Sequence, residues 1–456
     1  GGIISVLSDK YNVGILVFLV ILGAMVSLMN RAGGSAAFGE WAGQHIKSRV
    51  GAQLATIALG VLIFIDDYFN CLTVGSVMRP VTDKHNVSRA KLSYLIDATA
   101  APVCIIAPVS SWAAAVGSSL KGNAVFESDM AAFIASIPWN FYALLSIFMV
   151  FFIIFTGLDF GPMRTSEEKA LQGNVGGIQG GGAEPPKANP RGTVMDMLVP
   201  ITALIIFAVL ALMYSGGYWG ADPAYHSFAA SIGNSSAAAA LVWAAFGSVL
   251  VALLLYVPRR LVPFGDFMQG LVEGMKLMLP ANIILVLAWT LSGVCRDLLS
   301  TPQFVESLVS TAGGDFSVFL PAAVFIIAAF LAFSTGTAWG TFGILIPIVV
   351  PVVQGIDPTL TIVVLSATLA GSVFGDHCSP ISDTTILSSA GAGCNHIEHV
   401  STQLPYALLV AFCSAVGYLV AGLSGGNLWL SFGTSLGLLI ICLLYTSPSP
   451  RDTERS

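Results

Sequence analysis

Apolar runs of membrane-spanning length, joined by short polar connections, set the pattern of the chain. They fall at residues 12–29, 51–65, 92–120, 132–157, 194–214, 235–256, 277–295, 316–333, 360–387, 402–422 and 427–444. A bilayer's hydrocarbon core is crossed by about 20 apolar residues of helix, and continuous rather than alternating apolarity argues against a transmembrane barrel. The pattern predicts an all-α polytopic membrane protein whose first partner is the lipid bilayer, located in the cell membrane. Composition agrees: 55% of the 456 residues are hydrophobic and 10% charged, and the mean hydropathy is +0.82, whereas a soluble chain carries about a quarter charged residues. The formal net charge of -6 is spread over connections, with no basic patch that would hold nucleic acid.

The informative places are those where the apolar runs are interrupted. The 360–387 run carries Asp376, His377, Ser379, Pro380, Ser382, Asp383, Thr384 and Thr385. Carboxylates at membrane depth are costly unless they face a water-filled cavity or an ion, so their default reading is transport. Pro380 and its small neighbours predict a broken helix, whose freed carbonyls and half-helix ends can hold an ion. A second polar tip, Asp66, Asp67, Asn70 and Thr73, closes the 51–65 run. A third, Ser334, Thr335, Thr337 and Thr341 with Gly336 and Gly340, closes the 316–333 run. The 92–120 segment is broken by Pro102 and Pro108 and carries Asp97.

The order of these features repeats. Each half shows a helix, a loop, an apolar run ending in a polar tip, and a Pro-broken segment, as a unit of about 110 residues offset by about 270, and weak internal symmetry of this kind marks transporters. Asp66 aligns with Ser334 and Asp67 with Thr335. Positive loops face the cytoplasm. Arg31, Lys47, Arg49, Arg79, Lys84, Arg89 and Lys91 flank the first tip, while the matching connections of the second hold only Arg296. The units are therefore expected to be inverted repeats, each with a re-entrant hairpin and a broken transmembrane helix.

The expected division has five parts. Residues 1–160 form the first unit, which starts at Gly1-Gly2 without a methionine and is read as truncated at its N-terminus. A cytoplasmic Gly/Pro-rich linker occupies 161–193, connecting membrane helices 194–276, and the second unit 277–446. The polar stretch 447–456 reads as a disordered tail that need not be native. The seven cysteines form no CxxC pair and read as small core residues rather than a disulfide or metal framework.

Each candidate site residue has a plainer role beside it. Asp376 and Asp383 could bind Na⁺ and titrate with H⁺, because hard cations take oxygen ligands and a carboxylate in a semi-dry cavity holds its proton more tightly. Alternatively, each caps a half-helix. Of Asp66 and Asp67, at least one should face the site, with Asn70 and Thr73 as neutral oxygen donors. Ser334, Thr335 and Thr337, like Ser379, Ser382 and Thr384, could offer hydroxyls to a weakly held cation, or back-bond to their own helices. Asp97 either tunes the site or pairs with Lys91 or another interior group. His377 could shift the Asp376 carboxylate or sense pH. His396, Glu398 and His399 resemble a metal cluster only superficially, and Trp112 and Trp339 read as packing.

The stretches GDHCSPISDTTILSSAGAGCNHIEHVSTQLPYA (375–407) and STGTAWGTFGILIP (334–347) resemble the NhaC-type Na⁺/H⁺ antiporter family, whose members include Na⁺/H⁺ exchangers and malate/Na⁺-lactate exchangers. The resemblance implies an ion-transporter fold with inverted repeats and paired re-entrant hairpins. The function expected is secondary active antiport serving pH homeostasis, not enzymatic catalysis, with Na⁺ and H⁺ as transported ions competing for the intramembrane aspartates. Neither a cofactor nor a structural metal is expected, and a homodimer is left open. The alternative is a Na⁺- or H⁺-coupled exchanger of organic anions such as malate or lactate, which the lack of an arginine in the proposed site disfavours. Intramembrane aspartyl proteolysis and a channel fit the motifs less well.

Overall fold

The computed structural model describes residues 2–108, 110–120, 126, 128–177, 189–235, 237–294, 298–300 and 314–446. Cys295, Arg296, Lys187, the middle of the expected linker and the 447–456 tail lie outside the described residues. Every regular element described is helical. Nine of the described helices are long and apolar enough to cross a membrane, and exposed Leu, Ile, Phe and Trp side chains cover their outer faces, as surfaces solvated by lipid tails require.

The first polar tip is a hairpin. Ser48 caps the helix Arg49–Leu62 by accepting from Gly51 N at 3.0 Å, the helix ends at Ile63, and Asp67–Lys84 returns. Both ends of the hairpin meet on one side. Lys84 Nζ donates to Gly43 O at 2.9 Å, and the His85 ring meets Ile46 O at 3.1 Å. At only 14 residues, the entering helix is too short to cross a bilayer, which is what a re-entrant element needs. The second tip lies between Leu320–Thr335 and Ala338–Ile356, where Gly336 adopts a left-handed φ of 68°. Leu320–Thr335 runs parallel to Thr361–Cys378, with Gly371 against Phe325 O, Gly375 against Ala329 O and Ser379 against Phe333 O. The helix joining them by two short turns therefore returns antiparallel to both.

Both Pro-bearing segments are broken. Arg89–Thr99 kinks at Ala100 into Ala101–Cys104, and Ser111–Leu120 follows; Thr361–Cys378 gives way to a turn at 379–382 and then Asp383–Ala392. In each half the break is bonded to the tip of its own hairpin: Ser111 N donates to Ile65 O at 2.8 Å, and Ser379 Oγ to Phe333 O at 2.8 Å. Both partners are shifted by 268 positions, 111 to 379 and 65 to 333. The halves also interlock, since Asp383–Ala392 packs on Asp67–Lys84 and Ser111–Leu120 on Ala338–Ile356.

Two expectations change in detail. The expected linker begins as a helix, Gly161–Leu171, because Met163, Glu167 and Ala170 are buried against the bundle and Glu167 pairs with Arg49 while accepting from Ser88 N at 2.8 Å. The 277–295 run is not one element from its start: an amphipathic helix, Phe264–Leu277, precedes Leu279–Gly293 and lies along the first span, where Arg31 pairs with Glu273. The connecting helices Met195–Ser215 and Ala237–Tyr256 pack on each other, their ends tied by an Arg259–Asp196 ion pair. Cys71, Cys104, Cys378, Cys394 and Cys413 are buried thiols, and the Trp112 and Trp339 rings stack edge-on at 5.9 Å, both as packing.

Candidate functional site

The second broken helix supplies the centre. Thr361–Cys378 places Asp376 in its last turn, and Ser379 N closes that turn on Asp376 O at 3.0 Å. Ser382 caps the next helix, its Oγ accepting from Thr385 N at 3.3 Å. Capping therefore falls to Ser382, while Asp383 occupies the first helical position, where a negative charge suits the helix dipole. The hydroxyls of Ser382 and Thr384 lie 3.1 Å apart, and Thr384 Oγ1 donates to Asp376 Oδ2 at 3.0 Å. Asp376 Oδ1 is buried and has no hydrogen-bond partner.

The first hairpin supplies the other wall. Asp66 and Asp67, 0% and 2% exposed, stand where Asp67–Lys84 begins. The next residue, Tyr68, donates its hydroxyl to Asp383 Oδ2, and Cys71 Sγ lies 3.8 Å from Thr384 O. Asp67 is within electrostatic reach of Asp66 and Asp383, and Asp376 of Asp383 and Asp97. Asn70 holds the unwound tip together, its Nδ2 facing the carbonyls of Gly60, Ile63 and Thr99 at 2.7, 3.2 and 3.1 Å. Thr73 is buried one turn below it. The early aspartates and the second break thus form one neighbourhood, linked from Asp67 through Tyr68, Asp383 and Thr384 to Asp376.

The second hairpin contributes backbone instead of side chains. Ser334 and Thr335 are exposed, and their hydroxyls back-bond to Phe330 O at 2.7 Å and Leu331 O at 2.8 Å. Thr337 caps its helix by accepting from Gly340 N at 3.2 Å, and Thr341 returns to Thr337 O. These hydroxyls serve their own helices, a common use in membrane spans. The tip still touches the break: Ser379 Oγ is spent on Phe333 O, and a Cβ on Gly336 would stand 2.6 Å from Ile381 O.

Asp97 does not pair with Lys91, which pairs with Asp159. Its Oδ2 instead receives Gln403 Nε2 at 2.7 Å, with Thr385 Oγ1 at 3.4 Å, His399 Nε2 at 3.3 Å and His377 Nε2 at 3.7 Å. His377 Nδ1 meets Tyr142 OH at 2.8 Å. The His396, Glu398 and His399 trio diverges, to Pro380 O, to Ser166 and to Asp97 respectively. Among the described residues, no three His, Cys, Asp or Glu side chains converge as a metal cluster. A cation here would be held by one or two carboxylates together with hydroxyl and carbonyl oxygens, and the buried, unbonded Asp376 Oδ1, Asp67 Oδ1 and Asn70 Oδ1 suit that donor set. Sequence names Thr385 only as part of the polar run 376–385 and does not single out Tyr68, Tyr142 or Gln403. The signal for Gln403 was available, because it stands four residues after His399 and so shares its helix face.

Comparison with known proteins bears on this arrangement. A model of the Na⁺/H⁺ antiporter family matches residues 103–423. An uncharacterized protein of Haemophilus influenzae is 41% identical over 436 residues, covering 94% of this chain and 82% of that protein. An uncharacterized Na⁺/H⁺ antiporter of the same organism is 31% identical over 160 residues, 35% of this chain and 33% of its own length. The malate-2H⁺/Na⁺-lactate antiporter of Bacillus subtilis is 30% identical over 191 residues, 40% of this chain and 38% of its own. Among solved structures, the Alcanivorax borkumensis YdaH transporter superposes with a TM-score of 0.55 at 15% identity, over 94% of this chain and 91% of that one, a likeness of fold. Two interlocked hairpins and broken helices around buried carboxylates, in a chain matched from residue 103 to 423, lead to one conclusion: this multi-pass integral membrane protein belongs to the Na⁺/H⁺ antiporter family and is a secondary transporter.

Proposed function

We propose that the protein exchanges Na⁺ for H⁺ across the cell membrane, with both ions competing for Asp376, Asp383 and Asp67. The observation that carries this reading is the line of oxygens from Tyr68, next to the buried Asp67, through the half-buried Asp383 and through Thr384 to the buried Asp376, with no lysine or arginine bonded into it among the described residues. Three carboxylates so close repel one another, so the empty, fully charged site is costly to carry across a bilayer. A bound Na⁺ or protons relieve that cost, and only one kind fits the same lone pairs at a time. Coupling follows from exclusion alone.

Alternating access would come from two oppositely inserted halves. In support, the first broken helix starts at Arg89, whose guanidinium donates to Gly393 O at 3.2 Å where the second broken segment ends. At the other end, Ser366 Oγ near the start of the second helix donates to Ser136 O, downstream of the first, at 2.9 Å.

The test loads everted vesicles and follows ΔpH on adding Na⁺, Li⁺ or malate. Na⁺ should collapse the gradient, and Asp376→Asn should abolish that response; retained Na⁺-dependent proton movement in the variant would place the site elsewhere. The name of the Bacillus relative brings in a second reading, an organic anion as co-substrate. A response to malate without added Na⁺ would favour it.

A further inference from the structure

We propose that Asp97 and His399 form a second proton site, separate from the cation-binding carboxylates, so that the protein binds a proton that Na⁺ does not displace. The inference goes beyond competitive exchange at Asp376 and does not require it.

Asp97 lies in the last turn before the kink at Ala100 and is 1% exposed. Four side chains from three other helices converge on a single oxygen, Oδ2: Gln403 and His399 from His396–Leu423, Thr385 from Asp383–Ala392 and His377 from Thr361–Cys378. Its other oxygen, Oδ1, and His399 Nδ1 are buried with no hydrogen-bond partner. A buried carboxylate is tolerated when a fixed cation pairs with it or when a proton neutralises it. Lys91, on the same half-helix, is committed to Asp159, whose Oδ1 also accepts from Tyr406 OH at 2.6 Å. The remaining means of neutralisation is a proton, and an imidazole whose Nε2 faces the carboxylate can share it, since histidine changes charge near neutral pH.

The chain at the break separates the two sites by alternation. Asp376 and Thr384 bond to each other and face the cation carboxylates, while the next residues, His377 and Thr385, turn to Asp97. Gln403 clamps the second group by donating to both Asp97 Oδ2 and His377 O. Both sites can therefore be filled at once, yet both hang on the same two helix ends. The other titratable groups in reach of Asp97 are Asp376, His377 and Cys378 on Thr361–Cys378, Asp383 on the helix after the break, Cys71 from the first hairpin and Tyr142 from Phe141–Thr156.

Infrared difference spectra of the purified full chain in lipid nanodiscs, taken across pH steps with and without saturating Na⁺, test this. One protonated-carboxyl band should titrate together with an imidazole band, remain when Na⁺ is added, persist in Asp376→Asn and vanish in Asp97→Asn. Should Asp97→Asn fail to fold, His399→Gln keeps a donor toward Asp97, and there the imidazole band should disappear and the carboxyl band move to a different pH. A band abolished by Na⁺, or unchanged in Asp97→Asn or His399→Gln, overturns the proposal. A wild-type protein that moves no protons against Na⁺ would defeat the exchange reading alone, and the infrared titration would still decide for or against Asp97.

Discussion

Residue by residue, the site is assembled from side chains whose partners lie on other helices. Thr384 shows this most directly: its hydroxyl spans from the start of one half-helix to Asp376 at the end of the other. Replacing it by valine keeps the shape and removes the bond, and a hydrogen bond to a charged group contributes about 1.5–3 kcal/mol. Thr384→Val should raise the Na⁺ concentration for half-maximal exchange by about tenfold, one decade being about 1.4 kcal/mol. An unchanged Na⁺ dependence would leave Thr384 as a structural tie between the two half-helices. Sequence made Asp376, Asp383 and the early aspartates legible because charge at membrane depth is rare. It did not distinguish Ser334 and Thr335, which back-bond to their own helix, from Ser382 and Thr384, which meet across the break, because all four are hydroxyls in apolar runs. The difference lies in which way a helix is turned.

Among the elements, the decisive contact joins the two halves. Asp67–Lys84 and Asp383–Ala392 run side by side, with Tyr68 on Asp383, Cys71 beside Thr384 and Ser388, and Gly75 on Gly391. A Cβ on Gly75 would stand 2.5 Å from the carbonyl carbon of Gly391, backbone that cannot swing aside. Gly75→Ala should therefore force these helices apart, at the 1–3 kcal/mol typical of overpacking, and lower both thermal stability in detergent and exchange rate. Gly43→Ala is the control. A Cβ added there, on an outer helix, would meet nothing within 4 Å, and alanine should be neutral or stabilising by up to about 1 kcal/mol. Equal effects of the two substitutions would mean the interface is not tightly packed. The hairpins and broken helices were readable in order from polar tips and prolines. Their reciprocal packing was not, because no sequence period records which helix of one half lies on which helix of the other.

At the scale of the molecule, orientation follows from charge. Arg49 with Glu167, Arg89 with Gly393, Ser166 with Glu398 and Arg259 with Asp196 bind loops of both halves and of the connecting helices, and the positive loops among them are expected in the cytoplasm. On a background with the native cysteines replaced, a cysteine at Leu171 should label from the cytoplasmic side and one at Trp219 only from the opposite side. Both positions are exposed, and labelling from the same side would refute the orientation. By itself the sequence determined that this chain is a bundle of membrane helices, where those helices break, and that carboxylates sit at the breaks, because transfer into lipid penalises each residue almost independently of its neighbours. Only the tertiary structure decided that Asp97 keeps company with His399 and Gln403 instead of Lys91, and that Tyr68 closes on Asp383. Those choices depend on distances between residues roughly 300 positions apart in the chain, which are fixed by how whole helices pack and not by any local preference.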